Sequence, residues 1–450
     1  MNFKFNWKRI KVSECITKKV DDVYVVYPIK PKRDCIMIGG IGYEIWNALT
    51  NSIPLENFID KMLSKYEVEK EELIQDINNF LTSLKTANLI IIDGIEEKFK
   101  LQTNEFKTTR IVSSDHNDNY VNERYLKLSK PYKVFLELTY NCNLKCEHCY
   151  LGKETYMSPE FMDYETALRV IDELVENELV ELVITGGEAL LHPQLFEILE
   201  YACENELIVT LLTNGTIISD EKIESLKKLN LYDIRISIYG MEEFHDSFVK
   251  MKGAFKKSVK ALKELRKNFK IGTAVCILSK DNYEHSKELE LYMNNNNIPI
   301  DISPVIFPTI SGDLEPTLLR MTENQVIDSI VNRGFKVGGN ICTAGISRFR
   351  ITPTGEVNPC EMLRSISLGN INDLSFTEIL NSESRQEWIK TFRTLKNTKC
   401  DKCNKKNYCF NCPGIAYLET GNLNGISKYP CKLAHIQKDY YENQSCNTSI

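Results

Sequence analysis

The chain has no stretch approaching about 18 uninterrupted apolar residues, so no membrane-spanning helix is expected. It has no excess of positive charge. The net charge is −6, which excludes a global basic field for nucleic acid or anionic membrane. The N-terminus, "MNFKFNWKRIKVSEC", carries lysines without a following apolar run and so lacks the form of a secretory signal. Histidine is scarce, with 6 residues, and none is singled out by spacing as an acid or base. Cysteine is abundant, with 15 residues in 450. A secreted disulfide scaffold is normally short and cysteine-dense. Here the chain is long and most cysteines fall in tight groups, which favours metal or cluster ligation in a reducing cytoplasm. Cys15, Cys35, Cys203 and Cys276 are scattered, and the expectation for them is that of small buried hydrophobes.

The length suggests two to four domains. Residues 1–100 read as a small α/β unit with strands "VYVVYPI" and "CIMIGG", a helix "YEIWNALT", two further helices and a returning strand "LIII". Ile74, Ile77, Phe80, Leu81 and Leu84 recur at three- and four-residue steps and mark the expected buried face of the last helix. This order resembles a winged helix-turn-helix, in which Trp46 is expected in the core. Residues 101–130 are polar and aperiodic and read as a linker. From 131 to 335, six apolar strand-like runs alternate with amphipathic helices. That pattern predicts a parallel sheet covered by helices, with too few units for a closed eight-stranded barrel. From 336 to 450 the chain is irregular and rich in Gly, Asn, Pro and Cys, with one helical stretch around "FTEILNSESRQEWIKTF". A region of that kind is expected to be held by metals rather than by a large core.

Cys142, Cys146 and Cys149 follow the first strand of the repeating region in "LTYNCNLKCEHCY". Ligands in parallel sheets sit beyond the carboxyl ends of strands. Three cysteines can hold three irons of a [4Fe–4S] cube and leave the fourth open, whereas a structural zinc knuckle needs a fourth ligand. Later strands end in "TGGEALLHP", "LTNGT" and "ISIYG". They bring Gly186, Gly187, Glu188, Asn214, Ser237 and Tyr239 to the same mouth. Small glycines there let backbone approach a ligand closely. Asp246 and Arg235 read as channel residues or as structural charges.

Cys-x-x-x-Cys-x-x-Cys followed by Gly-Gly-Glu resembles the radical S-adenosylmethionine (SAM) superfamily. The resemblance implies an α/β fold, a partial (β/α)6 barrel, with Cys142, Cys146 and Cys149 binding the cluster. It implies that Gly186, Gly187 and Glu188 contact the methionine amino group of SAM, with Ser237 near its ribose or carboxylate and Asn214 at the same mouth. His148 stands at the family's aromatic position before the last cysteine. Reduced SAM would then yield a 5′-deoxyadenosyl radical.

A second field holds Cys342, twelve residues, Gly355, four residues, and Cys360. It continues with Cys400-x-x-Cys403, five residues, Cys409-x-x-Cys412, eighteen residues, and Cys431. A zinc ribbon would use the two Cys-x-x-Cys pairs and leave the rest unexplained. The pattern is similar to the C-terminal SPASM domain of radical SAM peptide maturases, which implies two auxiliary [4Fe–4S] clusters and three in all. By that analogy Cys342, Cys360, Cys412 and Cys431 hold one cluster. Cys400, Cys403 and Cys409 hold the other, completed by Cys446, by a carboxylate such as Asp401, or left open.

Residues 1–100 contain 15 basic and 15 acidic residues, so the winged helix lacks a DNA-binding face. It resembles the PqqD-like recognition element of enzymes that modify ribosomally made peptides. That implies a leader peptide pairing with a strand edge at 33–39. The whole order resembles the subtilosin-type thioether-forming (sactipeptide or ranthipeptide) maturases, with a flavodoxin or ferredoxin as reductant. Other readings are carbon–carbon crosslinking, oxidation of a sulfatase residue, and a cluster-bearing transcriptional regulator.

Overall fold

The computed structural model describes residues 7–20, 23–30, 36–87, 89–92, 109–111, 125–152, 160–269, 271–336, 338, 342–395, 400 and 402–447. The chain divides into two units, 1–106 and 107–450.

In the first unit β1 (Ile10–Val12), β2 (Glu14–Val20), β3 (Val23–Lys30) and β4 (Ile36–Gly39) precede three helices. These are α1 (Ile41–Thr50), α2 (Leu55–Lys65) and α3 (Lys70–Thr86), and β5 (Ile90–Ile92) returns against β1. The strands β2, β3 and β4 form an antiparallel sheet in that order. Among the described residues β4 pairs only with β3, so its other edge is open. On α3 the buried apolar residues are Leu73, Ile77, Leu81 and Leu84, while Ile74 and Phe80 are half-buried. The core face therefore sits slightly to one side of the stripe the periodicity suggests. Trp46 is buried in this core, and its indole N–H donates to Thr17 Oγ1 at 3.1 Å. The β2 strand, "ECITKKV", escaped the sequence reading because alternate positions carry Lys and Thr, with few apolar residues to mark it.

The second unit is organised by one ten-stranded sheet. Its strands are β6 (Thr109–Ile111), β7 (Lys133–Glu137), β8 (Glu181–Thr185), β9 (Ile208–Thr213), β10 (Asp233–Ser237), β11 (Thr273–Ile277), β12 (Ile300–Ser303), β13 (Arg348–Ile351), β14 (Glu356–Asn358) and β15 (Gly369–Asn370). The order is β15-β14-β13-β7-β8-β9-β10-β11-β12-β6. The six strands read from the sequence, β7 to β12, are parallel neighbours. Two parallel strands were not read. One is β6, inside the polar stretch 101–130, which pairs with β12 and so is sheet rather than linker. The other is β13, which pairs with β7 and carries the C-terminal region into the barrel sheet.

The intervening helices are α4 (Tyr164–Glu176), α5 (Leu195–Glu204), α6 (Asp220–Leu226), α7 (Glu242–Phe248), α8 (Ala254–Phe269) and α9 (Tyr283–Asn295). After them come α10 (Glu323–Arg333), α11 (Phe376–Asn381), α12 (Glu383–Arg393), α13 (Pro413–Thr420) and α14 (Lys428–Asn447). Asp163 caps α4 by accepting from Thr166 N, and a Thr322–Gln325 capping box opens α10. Such caps are worth about 1 kcal/mol each. The helical run around 376–393 is two helices, because Ser382 takes an extended backbone and caps α12.

Along each strand the side chains alternate. Val134, Leu136, Leu182, Ile184, Val209, Leu211, Ile234, Ile236, Ala274 and Ile302 enter one core with the helices. Phe349, Ile351, Val357, Leu363, Phe376, Ile415 and Leu433 join that same core. The C-terminal region is thus packed apolar structure as well as a cysteine field, more core than its composition suggests. The alternate face carries Glu137, Thr185, Arg235, Ser237 and Asp301. Among the described residues no helix is long and apolar enough to cross a membrane.

Candidate active site

The cysteine loop leaves β7 and is held by the end of β8. Gly187 N donates to Thr139 O at 2.7 Å, and Glu188 N donates to Asn141 O at 2.8 Å. A Cβ on Gly186 would lie 2.2 Å from Thr139 O, and one on Gly187 would lie 2.4 Å from both Tyr140 O and Asn141 O. Gly186 also has φ 147°, a conformation that side chains disfavour. The close approach that requires glycine here is therefore to the chain's own cysteine loop.

Glu188 is fully buried. Its Oε1 accepts from Leu190 N (3.0 Å) and Thr213 Oγ1 (2.6 Å), and its Oε2 from Asn214 N (2.7 Å). Burial raises its carboxyl above the ordinary value, and these donors oppose the rise. The carboxylate ties the ends of β8 and β9 together. Asn214 Nδ2 donates to Asn143 Oδ1 at 2.9 Å, and Asn143 Nδ2 donates to Thr216 Oγ1 at 2.8 Å. Asn143 and Thr216 were not singled out by the sequence reading. They clamp the loop between its first two cysteines onto the end of β9.

The other wall comes from the segment after β10. Lys145 N donates to Val249 O (3.1 Å) and Glu147 N to Phe248 O (3.2 Å). His148 is buried, edge-on to Tyr239 at 4.5 Å and tilted against Phe248 at 5.1 Å. Its Nδ1 is buried with no hydrogen-bond partner among the described residues. Burial lowers this imidazole to about 4. Burial raises the Tyr239 hydroxyl well above its ordinary value, and Ser237, at the end of β10, is close enough to oppose the rise. Asp246 is structural: it accepts from Gly253 N and, at 2.8 Å, from Phe255 N, which fixes the entry to α8. Arg235 is paired with Asp301 at 2.6 Å across the sheet interior.

Behind Tyr239, His245 is 1 % exposed and accepts from Tyr239 N at 3.2 Å. Burial lowers it from 6.5 to about 4, against a smaller opposing pull from Asp246. Between those values the unfolded chain binds a proton that the folded chain refuses. The stabilisation is present above pH 6.5 and is lost as pH falls through about 4, by about 3 kcal/mol in full. His245→Phe should therefore flatten the fall in melting temperature between pH 6.5 and 4.5. An unchanged slope would remove His245 as its source.

The first three cysteines influence one another. Burial pushes Cys142 up to about 12, and the Glu188 and Cys149 charges add to it. Burial, then Cys149 and Cys142, raise Cys146. Thiols this reluctant to ionise become thiolates only beside a strong cationic centre. Among the described residues no three His, Cys, Asp or Glu side chains converge tightly enough for a single metal ion. Three half-buried thiols on one loop, close enough for charge on one to act on another, fit the face of an iron–sulfur group.

The second field divides differently from the expectation. Cys360 is raised by burial, then by Glu361, Cys342 and Cys412. Cys412 is pushed up to about 12 by burial and then by Cys342. Burial pushes Cys409 up to about 11, with Cys431, Cys400 and Cys403 adding to it. Cys431 is raised by burial and by Cys403. Cys431 thus stands with Cys400, Cys403 and Cys409, not with Cys342, Cys360 and Cys412. It rides on α14, which packs back over the segment Lys406–Tyr408, and spacing along the chain does not reveal that return. Asp401 and the Cys446 side chain lie outside the described residues. Among the described cysteines the other group has three members, Cys342, Cys360 and Cys412.

Comparison with known proteins finds three families along the chain. The radical SAM superfamily matches residues 136–291. An iron–sulfur cluster-binding domain, SPASM, matches 342–413. Coenzyme PQQ synthesis protein D (PqqD) matches 26–90. The antilisterial bacteriocin subtilosin biosynthesis protein AlbA of Bacillus subtilis (strain 168) is 32% identical over 318 residues, covering 65% of this chain and 69% of its own. An AdoMet-dependent heme synthase of Methanosarcina barkeri (strain Fusaro / DSM 804) is 28% identical over 333 residues, 65% of this chain and 94% of its own. Streptococcus suis SuiB, in a crystal structure bound to precursor peptide SuiA, shares the fold. Its TM-score is 0.58 at 15% identity, over 94% of this chain and 100% of that one.

Proposed function

This chain belongs to the radical SAM/SPASM peptide maturases with a PqqD-like N-terminal unit, and from that premise we propose that it joins cysteine sulfur to unactivated carbon in a ribosomally made precursor peptide. Membership implies SAM with one [4Fe–4S] cluster, and further iron–sulfur in the C-terminal region. We assign three [4Fe–4S] clusters. Cys142, Cys146 and Cys149 hold the first, Cys342, Cys360 and Cys412 the second, and Cys400, Cys403, Cys409 and Cys431 the third. SAM held at the first would supply radical chemistry for hydrogen abstraction from the peptide. Gly186, Gly187, Glu188, Asn214, Ser237 and His148 surround its place.

The observation that carries the reading is the three-cysteine set Cys342, Cys360 and Cys412. A set one ligand short is suited to receive a substrate thiolate. AlbA, by its name a bacteriocin biosynthesis protein, and the SuiB–SuiA complex support a peptide substrate. The open edge of β4 suits pairing with an extended leader, and Met37 on it is 44% exposed. Residues 33–35 of the expected edge lie outside the described residues. The reductant is a flavodoxin or ferredoxin and the setting is cytoplasmic.

Each thioether removes two hydrogens. One would leave carbon as an atom and the other leave sulfur as a proton, with one electron left over for which iron–sulfur groups held by the C-terminal cysteines would be the acceptor. Mass spectrometry of a co-expressed precursor tests this. The expected result is loss of two hydrogens per link, with the same number of cysteines closed to alkylation. The same mass loss with every thiol still alkylated would mean carbon–carbon crosslinking and would overturn the reading.

A further inference from the structure

A buried charge network joins the barrel to the C-terminal region. Glu137, at the end of β7, is fully buried. Its Oε2 accepts from Arg350 Nε on β13 at 2.9 Å, and its Oε1 from Arg364 Nη2 at 2.6 Å. Arg350 is 1 % exposed. Both guanidiniums also donate to the Tyr140 hydroxyl, at 2.6 and 3.3 Å. Asn358 Oδ1 accepts from Arg350 Nη1 at 2.5 Å. Arg364 lies over the Tyr140 ring at 5.6 Å and the Tyr150 ring at 5.7 Å.

Two features of this network exceed what holding a fold requires. The first is its position. Tyr140 precedes Cys142 by two residues, and Tyr150 directly follows Cys149. Arg364 Nε donates to Glu361 O at 3.0 Å, and Glu361 directly follows Cys360. The network therefore contacts residues that immediately flank both the first cysteine set and the set Cys342, Cys360 and Cys412. The second is its charge. Two guanidiniums face one carboxylate, which leaves one positive charge buried. The adjacent pair Arg348–Glu361, at 2.5 Å, is balanced and does not cancel it. An uncompensated buried charge is costly unless a counter-charge lies close by. Thiolate-bound iron–sulfur groups on both sides would supply negative charge.

We propose that Arg350 and Arg364, oriented by Glu137 and Tyr140, are positioning residues whose surplus charge sets the reduction potentials of the two flanking clusters. The inference rests on the cluster assignment above. A buried positive charge favours the added electron, so removing it makes both potentials more negative. Removing the Glu137 carboxylate acts in the opposite sense. The set Cys400, Cys403, Cys409 and Cys431 does not share these contacts and serves as an internal reference.

The test is potentiometric titration followed by electron paramagnetic resonance on the reconstituted full chain, in wild type, Arg364→Gln, Arg364→Lys and Glu137→Gln. In Arg364→Gln the reduced-to-oxidised ratio at a fixed potential should fall about tenfold at both flanking clusters, equivalent to about 59 mV for one electron. Glu137→Gln should move them the other way, Arg364→Lys should match wild type, and the third cluster should stay put throughout. A purely structural role predicts lower iron content or a lower melting temperature without opposite shifts. Should one glutamine variant not accumulate folded, the other decides, because each has its own sign. Full cluster content with unmoved potentials overturns the inference and leaves the function intact. Iron and sulfide absent from wild type overturns the function itself.

Discussion

Cys142→Ala should abolish formation of 5′-deoxyadenosine when the reconstituted protein is incubated anaerobically with SAM and dithionite. Cys142 is one of three thiols at the mouth of β7 and β8, in a loop clamped by Asn143, Asn214 and the Gly-Gly-Glu turn. With three protein ligands there is no spare, so one loss leaves the cluster with two. Iron content should fall by about one third while the two C-terminal sets keep theirs. Turnover should fall by at least about a thousandfold, since the radical chemistry has no other source in the chain. Wild-type yield from the alanine variant, measured by chromatography against an internal standard, would sink the enzyme reading.

Gly186→Ala should be nearly as damaging, for a different reason. The new methyl group would meet Thr139 O at 2.2 Å, and the residue would be held at φ 147°. Both the strand end and the cysteine loop would have to shift. Clash and backbone strain together place the cost at about 3 kcal/mol or more. The melting temperature should drop by several degrees, with poor cluster loading. Gly253→Ala, where φ is also positive but no atom lies within 4 Å of the added carbon, isolates backbone strain from steric conflict. Equal melting temperatures for the two variants would show that the contact with Thr139 is not what demands glycine.

Much of this was legible in the sequence, for definite physical reasons. The strands β7 to β12 send one face into the core and keep the other half-buried or buried, so they read as largely apolar runs between amphipathic helices. The cysteine triplet and Gly-Gly-Glu are short-range patterns, and each lies within a single turn or loop. What escaped depends on contacts between distant residues. Cys431 joins Cys400, Cys403 and Cys409 because α14 folds back, and eighteen intervening residues carry no sign of it. The three-residue β6 is too short to show a period. Glu188 reads as a ligand group, yet three of its acceptor positions are taken by Leu190, Thr213 and Asn214. Asn143 and Thr216 are ordinary polar residues until the end of β9 meets the cysteine loop. Glu137 lies more than two hundred residues from Arg350 and Arg364, and nothing local in "FLELTY" announces a partner in "RFRITP".

The pairing of β13 with β7 bears on how such enzymes can be recombined. Without residues beyond 335, β7 would become an open sheet edge, Glu137 would lose both guanidiniums, and part of the shared core would be stripped away. The barrel and its C-terminal companion are therefore one structural block, although their motifs are read as two. The first unit has its own core, from Val26 and Trp46 to Leu84, and closes its own sheets. On the proposed reading, in which the first unit meets the peptide, exchanging that unit would change the peptide met, whereas the barrel and the C-terminal region would have to be exchanged together.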